Sequence, residues 1–272
     1  MFEKIKGDIY NNILSPPLIK RGWRPPTGVK LDQLAPSGNF GYDEEVQIKK
    51  AIAQIMGHSM TTFERLATLW QQVKYLDQYN LEGDFVECGV WKGGAPGIMA
   101  LAHQSTHKVP KRVIHLFDSF EGLPEPDSQK DGVSATLYAK HLASGKMQSI
   151  QECVGTLQDN KNLLEVKLKY PSQLLKYHIG WFQKTVPVVA PQIDKIAVLR
   201  LDGDWYESTK ICLDNLYSKV IPGGVVIIDD YGHWEGCRLA VDEFIKNLNE
   251  PILLNHIDYS CRYWIRALPK ST

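Results

Sequence analysis

From residue 84 onward the chain alternates short apolar runs with helical stretches, and this alternation limits the fold more than any other feature. The runs cover residues 84–88, 112–117, 173–179, 195–201 and 224–228. Helical spacing follows the first run through His103 and returns over 207–219 and 236–248, while a polar stretch with helical portions spans roughly 125–168. Strands alternating with helices predict an α/β domain whose parallel sheet is covered on both faces. Two late runs, 251–257 and 261–267, lie too close together for a helical crossover and predict an antiparallel pair. Upstream, residues 43–58 and 61–80 carry helical spacing, with Leu66, Leu69, Val73 and Leu76 on one apolar stripe. Residues 1–45 are rich in Pro, Gly and Asn, a composition equally suited to a lid, a dimerisation arm or a tail. The division expected is an N-terminal arm or lid region over 1–55 and one domain over 56–272.

Composition excludes several classes of function. Lys+Arg total 31 and Asp+Glu total 31, so the 272-residue chain lacks the basic excess of a general nucleic-acid binder. No apolar run approaches the ~18–20 residues of a membrane span. The first twenty residues carry acids and lack the apolar core of a signal peptide, so a cytoplasmic protein is expected. Five cysteines are scattered with no CxxC spacing and read as buried thiols.

Open α/β sheets bind ligands beyond the carboxyl ends of their strands, so the segments after each run matter most. After the first stands Glu87-Cys-Gly89-Val-Trp-Lys-Gly93-Gly94. Its GxxxGG spacing is not the GxGxxG of dinucleotide folds. A pyrophosphate wants a helix N-terminus, whereas a sulfonium zwitterion wants acceptors for its amine, which Glu87 could supply. Asp118-Ser119 follows the second run, where an acid can accept hydrogen bonds from two ribose hydroxyls; an N-cap is the plainer alternative. Asp202-Gly-Asp204 follows the fourth run and Asp229-Asp230 the fifth. If those strands are neighbours, four carboxylates converge and need a compensating cation. An all-oxygen set selects a hard ion such as Mg2+. A phosphatase built on a similar Asp-x-Asp would carry it at the first strand rather than late in the chain.

Five blocks, GDFVECGVWKGG (83–94), FDSFEGLPEPD (117–127), GWFQKTVP (180–187), LRLDGDWYEST (199–209) and IPGGVVIIDDYG (221–232), together resemble the macrocin O-methyltransferase family. The resemblance covers roughly residues 56–268. It implies a class I methyltransferase (Rossmann-like) sheet, mostly parallel with a C-terminal antiparallel hairpin strand. It also implies transfer of a methyl group from S-adenosyl-L-methionine to a sugar hydroxyl of a glycosylated natural product, with Mg2+. Asp202, Asp229 and Asp230 would hold the metal, and Asp204 would be the general base. Glu87, Gly89, Gly93, Gly94, Asp118, Ser119 and Asp202 would hold the cofactor. Met60, Thr61 and Arg65 match the segment that closes over it. Trp181 and Phe182 would lie near the adenine, with a core role as the alternative. Lys184 departs from the family pattern, which has an acid at that place.

Rival readings are a catechol-type methyltransferase with a phenolic acceptor, a nicotinamide enzyme and a binding protein without turnover. The glycine spacing disfavours the nicotinamide enzyme, and intact acids at all four positions disfavour the inactive protein. The partners expected are a small glycosylated acceptor and a second copy of the chain. The family resemblance and the long Pro-rich arm suggest a homodimer. Light scattering at micromolar concentration should give twice the 30.8 kDa chain mass; a monomeric mass would refute the dimer.

Overall fold

The computed structural model describes residues 44–248 and 250–267; most of the arm expected over 1–55 lies outside them. Helix α1 (Glu45–Gln54) buries Ile48 and Ala51. Thr62 caps α2 (Phe63–Gln78), its hydroxyl accepting from the Arg65 amide. The expected apolar stripe of α2 is buried with Ile48, Ala51 and Ile55 in one core. Strand β1 (Asp84–Cys88) leads into α3 (Gly94–Thr106), and β2 (Ile114–Asp118) follows. The polar stretch contains α4 (Gly132–Tyr138) and α5 (Leu157–Lys161), the latter running into a π-helical turn over Asn162–Lys167. Then come β3 (Leu175–Ile179), α6 (Phe182–Val189), β4 (Ile196–Leu201), α7 (Tyr206–Leu216), β5 (Val220–Ile228) and α8 (Glu235–Asn247). Strands β6 (Asn255–His256) and β7 (Arg262–Ile265) close the fold.

The seven strands form one sheet in the order β3-β2-β1-β4-β5-β7-β6. The first five are mutually parallel; β7 is antiparallel to both β5 and β6. This is the class I methyltransferase arrangement that the alternation and the terminal hairpin led us to expect. Two runs differ most in extent. Strand β5 starts at Val220 rather than 224, because Val220 already pairs with Ile196 before the Pro-Gly-Gly step shifts the register to Val198 and Val225. Strand β6 keeps two residues, since only Asn255 and His256 find partners on β7.

The two faces of the sheet carry separate cores, as the period of two requires. Phe85, Val198, Val225 and Ile227 pack with α1, α2 and α3, while Val86, Leu199, Val226 and Ile228 pack with Trp205, Leu213, Val241 and Trp264. All five cysteines are free thiols, four buried and Cys153 half-buried. Among the described residues no helix is long and apolar enough to cross a membrane.

Candidate active site

The carboxyl ends of the central strands continue to bond one another after the strands stop. The Gly89 amide donates to Phe117, Asp202 to Cys88 and Asp229 to Leu201, at 2.8–2.9 Å. These bonds fix the starts of the three loops that sequence reasoning singled out. Gly89 adopts φ 89°, and a Cβ there would stand 1.9 Å from the Asp202 carbonyl oxygen. Only glycine fits so close an approach.

A cavity of about 670 Å³ opens over these loops. Of the expected site residues, Met60, Thr61, Arg65, Gly89, Asp118, Ser119, Trp181, Phe182, Asp202, Asp204, Asp229 and Asp230 line it. Phe182 serves the wall and the core together, at 9% exposure. Glu87, Gly93 and Gly94 do not line it. Gly93 packs on the Asn160 side chain and Gly94 on the His58 carbonyl, so these glycines let α3 seat closely. Glu87 lies behind the wall, 1% exposed, on the Arg200 guanidinium.

Arg200 is the centre of the site, and sequence reasoning passed over it. Its guanidinium reaches Glu87 on β1, Asp202 at 3.1 Å and Asp229 after β5. Glu87 and Arg200 are register partners on adjacent strands, which makes the first contact unavoidable. A second guanidinium, Arg65, meets the other Asp229 oxygen. It also donates to Asp258 at 2.7 and 3.1 Å and to the Ser260 hydroxyl at 2.6 Å. Asp258 further accepts from Thr62. The start of α2 is thereby tied to the loop between β6 and β7, where Tyr259 and Ser260 also line the cavity.

Asp229 therefore has both carboxylate oxygens on guanidinium groups. Asp202, Asp204 and Asp230 instead bring oxygen atoms within 4.8 Å of one another. The buried Oδ2 of Asp230 has no hydrogen-bond partner. Burial, then Asp204, Asp202 and Asp229, raise the Asp230 carboxyl well above the usual range. Burial and Asp229 push Asp202 up to about 6 against the pull of Arg200. Burial likewise outweighs Arg200 at Glu87, pushed up to about 8. Burial lowers the Arg65 guanidinium, but Asp229 and Asp258 outweigh it and raise the group.

On the opposite wall, Asp118 Oδ2 accepts from the Val90 and Trp91 amides at 2.8 and 3.1 Å, and Oδ1 from Phe120 at 2.7 Å. The carboxylate binds the glycine turn to its own loop while facing the cavity. Burial raises it and these three bonds oppose the rise. The segment between β2 and α5 forms a further wall through Leu123, Pro124, Tyr138, Cys153 and Val154. Asp131 fastens this segment. It is 2% exposed, accepts from the Asp127 and Tyr206 amides at 2.7 Å, and leaves no room for a Cβ on Gly236. Asp204 sits in the left-handed region, φ 57°, at the tip of a tight turn closed by Trp205 N–H on Gly203. The Trp234 indole donates to Asp204 Oδ1 at 2.6 Å.

Residues 33–266 match the profile of the macrocin O-methyltransferase (TylF) family. The chain belongs to this family. It is 37% identical over 227 residues to demethyldecarbamoylnovobiocin O-methyltransferase of Streptomyces niveus, covering 83% of this chain and 82% of that one. A Streptomyces olivaceus enzyme, 8-demethyl-8-(2,3-dimethoxy-alpha-L-rhamnosyl)-tetracenomycin-C 4'-O-methyltransferase, is 32% identical over 234 residues, 85% of each chain. The solved O-methyltransferase NovP superposes with a TM-score of 0.64 at 34% identity, over 78% of this chain and 83% of its own. The chain is thus an O-methyltransferase on a class I fold.

Arg200 signals itself only as one charge in the otherwise apolar run IAVLRL, and Asp258 is an unremarked acid in a hairpin loop. Replacing Arg200 by Met should leave Glu87 buried without its partner and Asp229 with Arg65 alone. Removing one member of a buried ion pair costs about 3–5 kcal/mol. Denaturant unfolding should show a loss of that order, partly recovered by adding Glu87→Gln; an unchanged midpoint would refute the role of the hub.

Proposed function

We propose that this methyltransferase uses S-adenosyl-L-methionine and Mg2+ to methylate a hydroxyl on the sugar of a glycosylated natural product. The observation that carries the reading is the meeting of Asp202, Asp204 and Asp230 in a cavity that Gly89, Asp118 and Ser119 also line. The tetracenomycin relative acts at the 4' oxygen of a rhamnosyl group, as its name states, which supports a sugar acceptor.

The donor set fits a hard divalent cation: carboxylates only, one with a buried orphan oxygen. Asp202 and Asp230 would hold it, with Asp229 contributing a lone pair beyond those taken by Arg65 and Arg200. When bound, S-adenosylmethionine supplies the electrophilic methyl group and Mg2+ polarises the acceptor hydroxyl. Asp204 would take the hydroxyl proton as the O–C bond forms and the methyl–sulfur bond breaks, with S-adenosylhomocysteine as the leaving group. Both oxygens of Asp229 are already engaged by the Arg65 and Arg200 guanidiniums. Asp118, Ser119 and Trp181 orient the nucleoside, while Met60, Thr61 and Arg65 close the cavity against water. The whole gain is positioning plus proton removal, with no covalent enzyme intermediate. We also propose that the working protein is a homodimer located in the cytoplasm.

Incubating the protein with isotopically labelled cofactor and parallel panels of glycosides and catechols, followed by mass spectrometry, tests the acceptor class. Label on a sugar oxygen is expected; label confined to phenolic oxygens would replace the sugar reading.

Asp202→Asn and Asp230→Asn should weaken Mg2+ binding in calorimetry and lose activity that excess Mg2+ partly restores. Asp204→Asn should keep Mg2+ affinity and lose turnover beyond such rescue. Loss of Mg2+ binding in Asp204→Asn would move Asp204 among the ligands.

Mg2+ affinity should also depend on pH. The cation must displace protons from Asp202, pushed up to about 6, and from Asp230, raised well above the usual carboxylate range. Affinity should therefore fall as pH is lowered through about 6 and improve as it rises. Equal dissociation constants at both ends of that window would exclude these two acids as the ligands.

A further inference from the structure

Asp204 stands on a one-residue turn in the left-handed region, which fixes its backbone but not the direction of its carboxylate. Neither guanidinium of the site supplies its Oδ1 partner; the donor there is Trp234 Nε1, at 2.6 Å. Trp234 is 4% exposed and held on several sides. Its ring packs edge-on against Trp205 at 5.0 Å and Tyr138 at 5.5 Å, and its amide donates to the Asp230 carbonyl at 3.1 Å. The neighbouring indole of Trp205 satisfies its N–H on a backbone carbonyl, Pro124. Of two buried indoles side by side, one uses an inert acceptor and the other a carboxylate that lines the cavity.

We propose that Trp234 is a positioning residue for methyl transfer: its indole N–H holds the Asp204 carboxylate toward Asp202, Asp230 and the acceptor hydroxyl. This rests on the reading of Asp204 as the general base. The hydrogen bond engages Oδ1 and sets the plane of the carboxylate, and with it the direction from which the proton is taken. Trp234 begins α8 directly after the Asp229-Asp230 loop. One side chain therefore carries the position of the β5 loop to the β4 loop, keeping the proposed base in step with the proposed ligands.

The test separates the hydrogen bond from the packing. Trp234→Phe removes the N–H and part of the ring; site-specific 3-benzothienylalanine at 234 removes the N–H and keeps the shape. Both proteins, with Asp204→Asn alongside, are assayed by steady-state kinetics for each substrate and by Mg2+ calorimetry. A hydrogen bond to a charged group sets the scale of the effect, a fall in kcat of about tenfold or more. KM for both substrates and the Mg2+ dissociation constant should stay within about twofold, the pattern of an interaction used in the transition state. Wild-type kcat in the benzothienyl protein, or a loss confined to KM, would overturn the role of Trp234. Wild-type kcat in Asp204→Asn would instead overturn the assignment of the base on which it rests.

Discussion

Everything in the site is arranged around a guanidinium buried where three strands end. Arg200 points into the space between β1, β4 and β5, and its donors reach one acid from each neighbouring loop or strand. Removing such a charge from water is costly unless it is matched. Here it is matched by Glu87, Asp202 and Asp229, so the strand ends cannot separate without exposing unpaired charge. The acids are in turn tolerated at this density because the cation is already among them. Burial, with repulsion among the neighbouring acids, still holds the Asp202 and Asp230 carboxyls above their ordinary range. Acids paired on Arg200 and acids that resist ionisation thus occur in one cluster, the latter lining the cavity.

Arg65 extends the cluster outward. It brings the first turn of α2 onto Asp229 and onto Asp258 of the terminal hairpin. Two segments nearly two hundred residues apart in sequence meet there, and both line the cavity. The closing segment and the hairpin loop are consequently one wall, joined by charge above the apolar cluster that Leu66 and Cys261 share.

Much of this could be read from the sequence, because the relevant signals are local. Strand periodicity, the glycine turn and the acids after each strand are all properties of short windows. They led to the sheet, its antiparallel end and twelve side chains or glycines on the cavity wall. What escaped is relational. Nothing in the window around Glu87 says that its register partner across the sheet is an arginine, so the ion pair with Arg200 goes unread. The same holds for Asp229 and Asp230: adjacent in sequence, they point to different partners, one to two guanidiniums and the other to two acids. Asp118 shows a milder case, since an acid after β2 reads equally as a ribose acceptor or a local cap. It caps three amides and faces the cavity as well.

The fastening at Asp131 bears on how acceptor preference can change within such a scaffold. The wall formed by the segment after β2 comes from outside the sheet, so substitutions there can reshape the cavity without altering a strand. Its buried carboxylate, however, is seated on the Tyr206 amide and against Gly236, which begin the helices following the two acid-bearing loops. Asp131 thus ties the wall to the starts of both helices. A graft of this segment between relatives is therefore a graft of a three-piece joint, and the exchangeable module includes the first turns of α7 and α8.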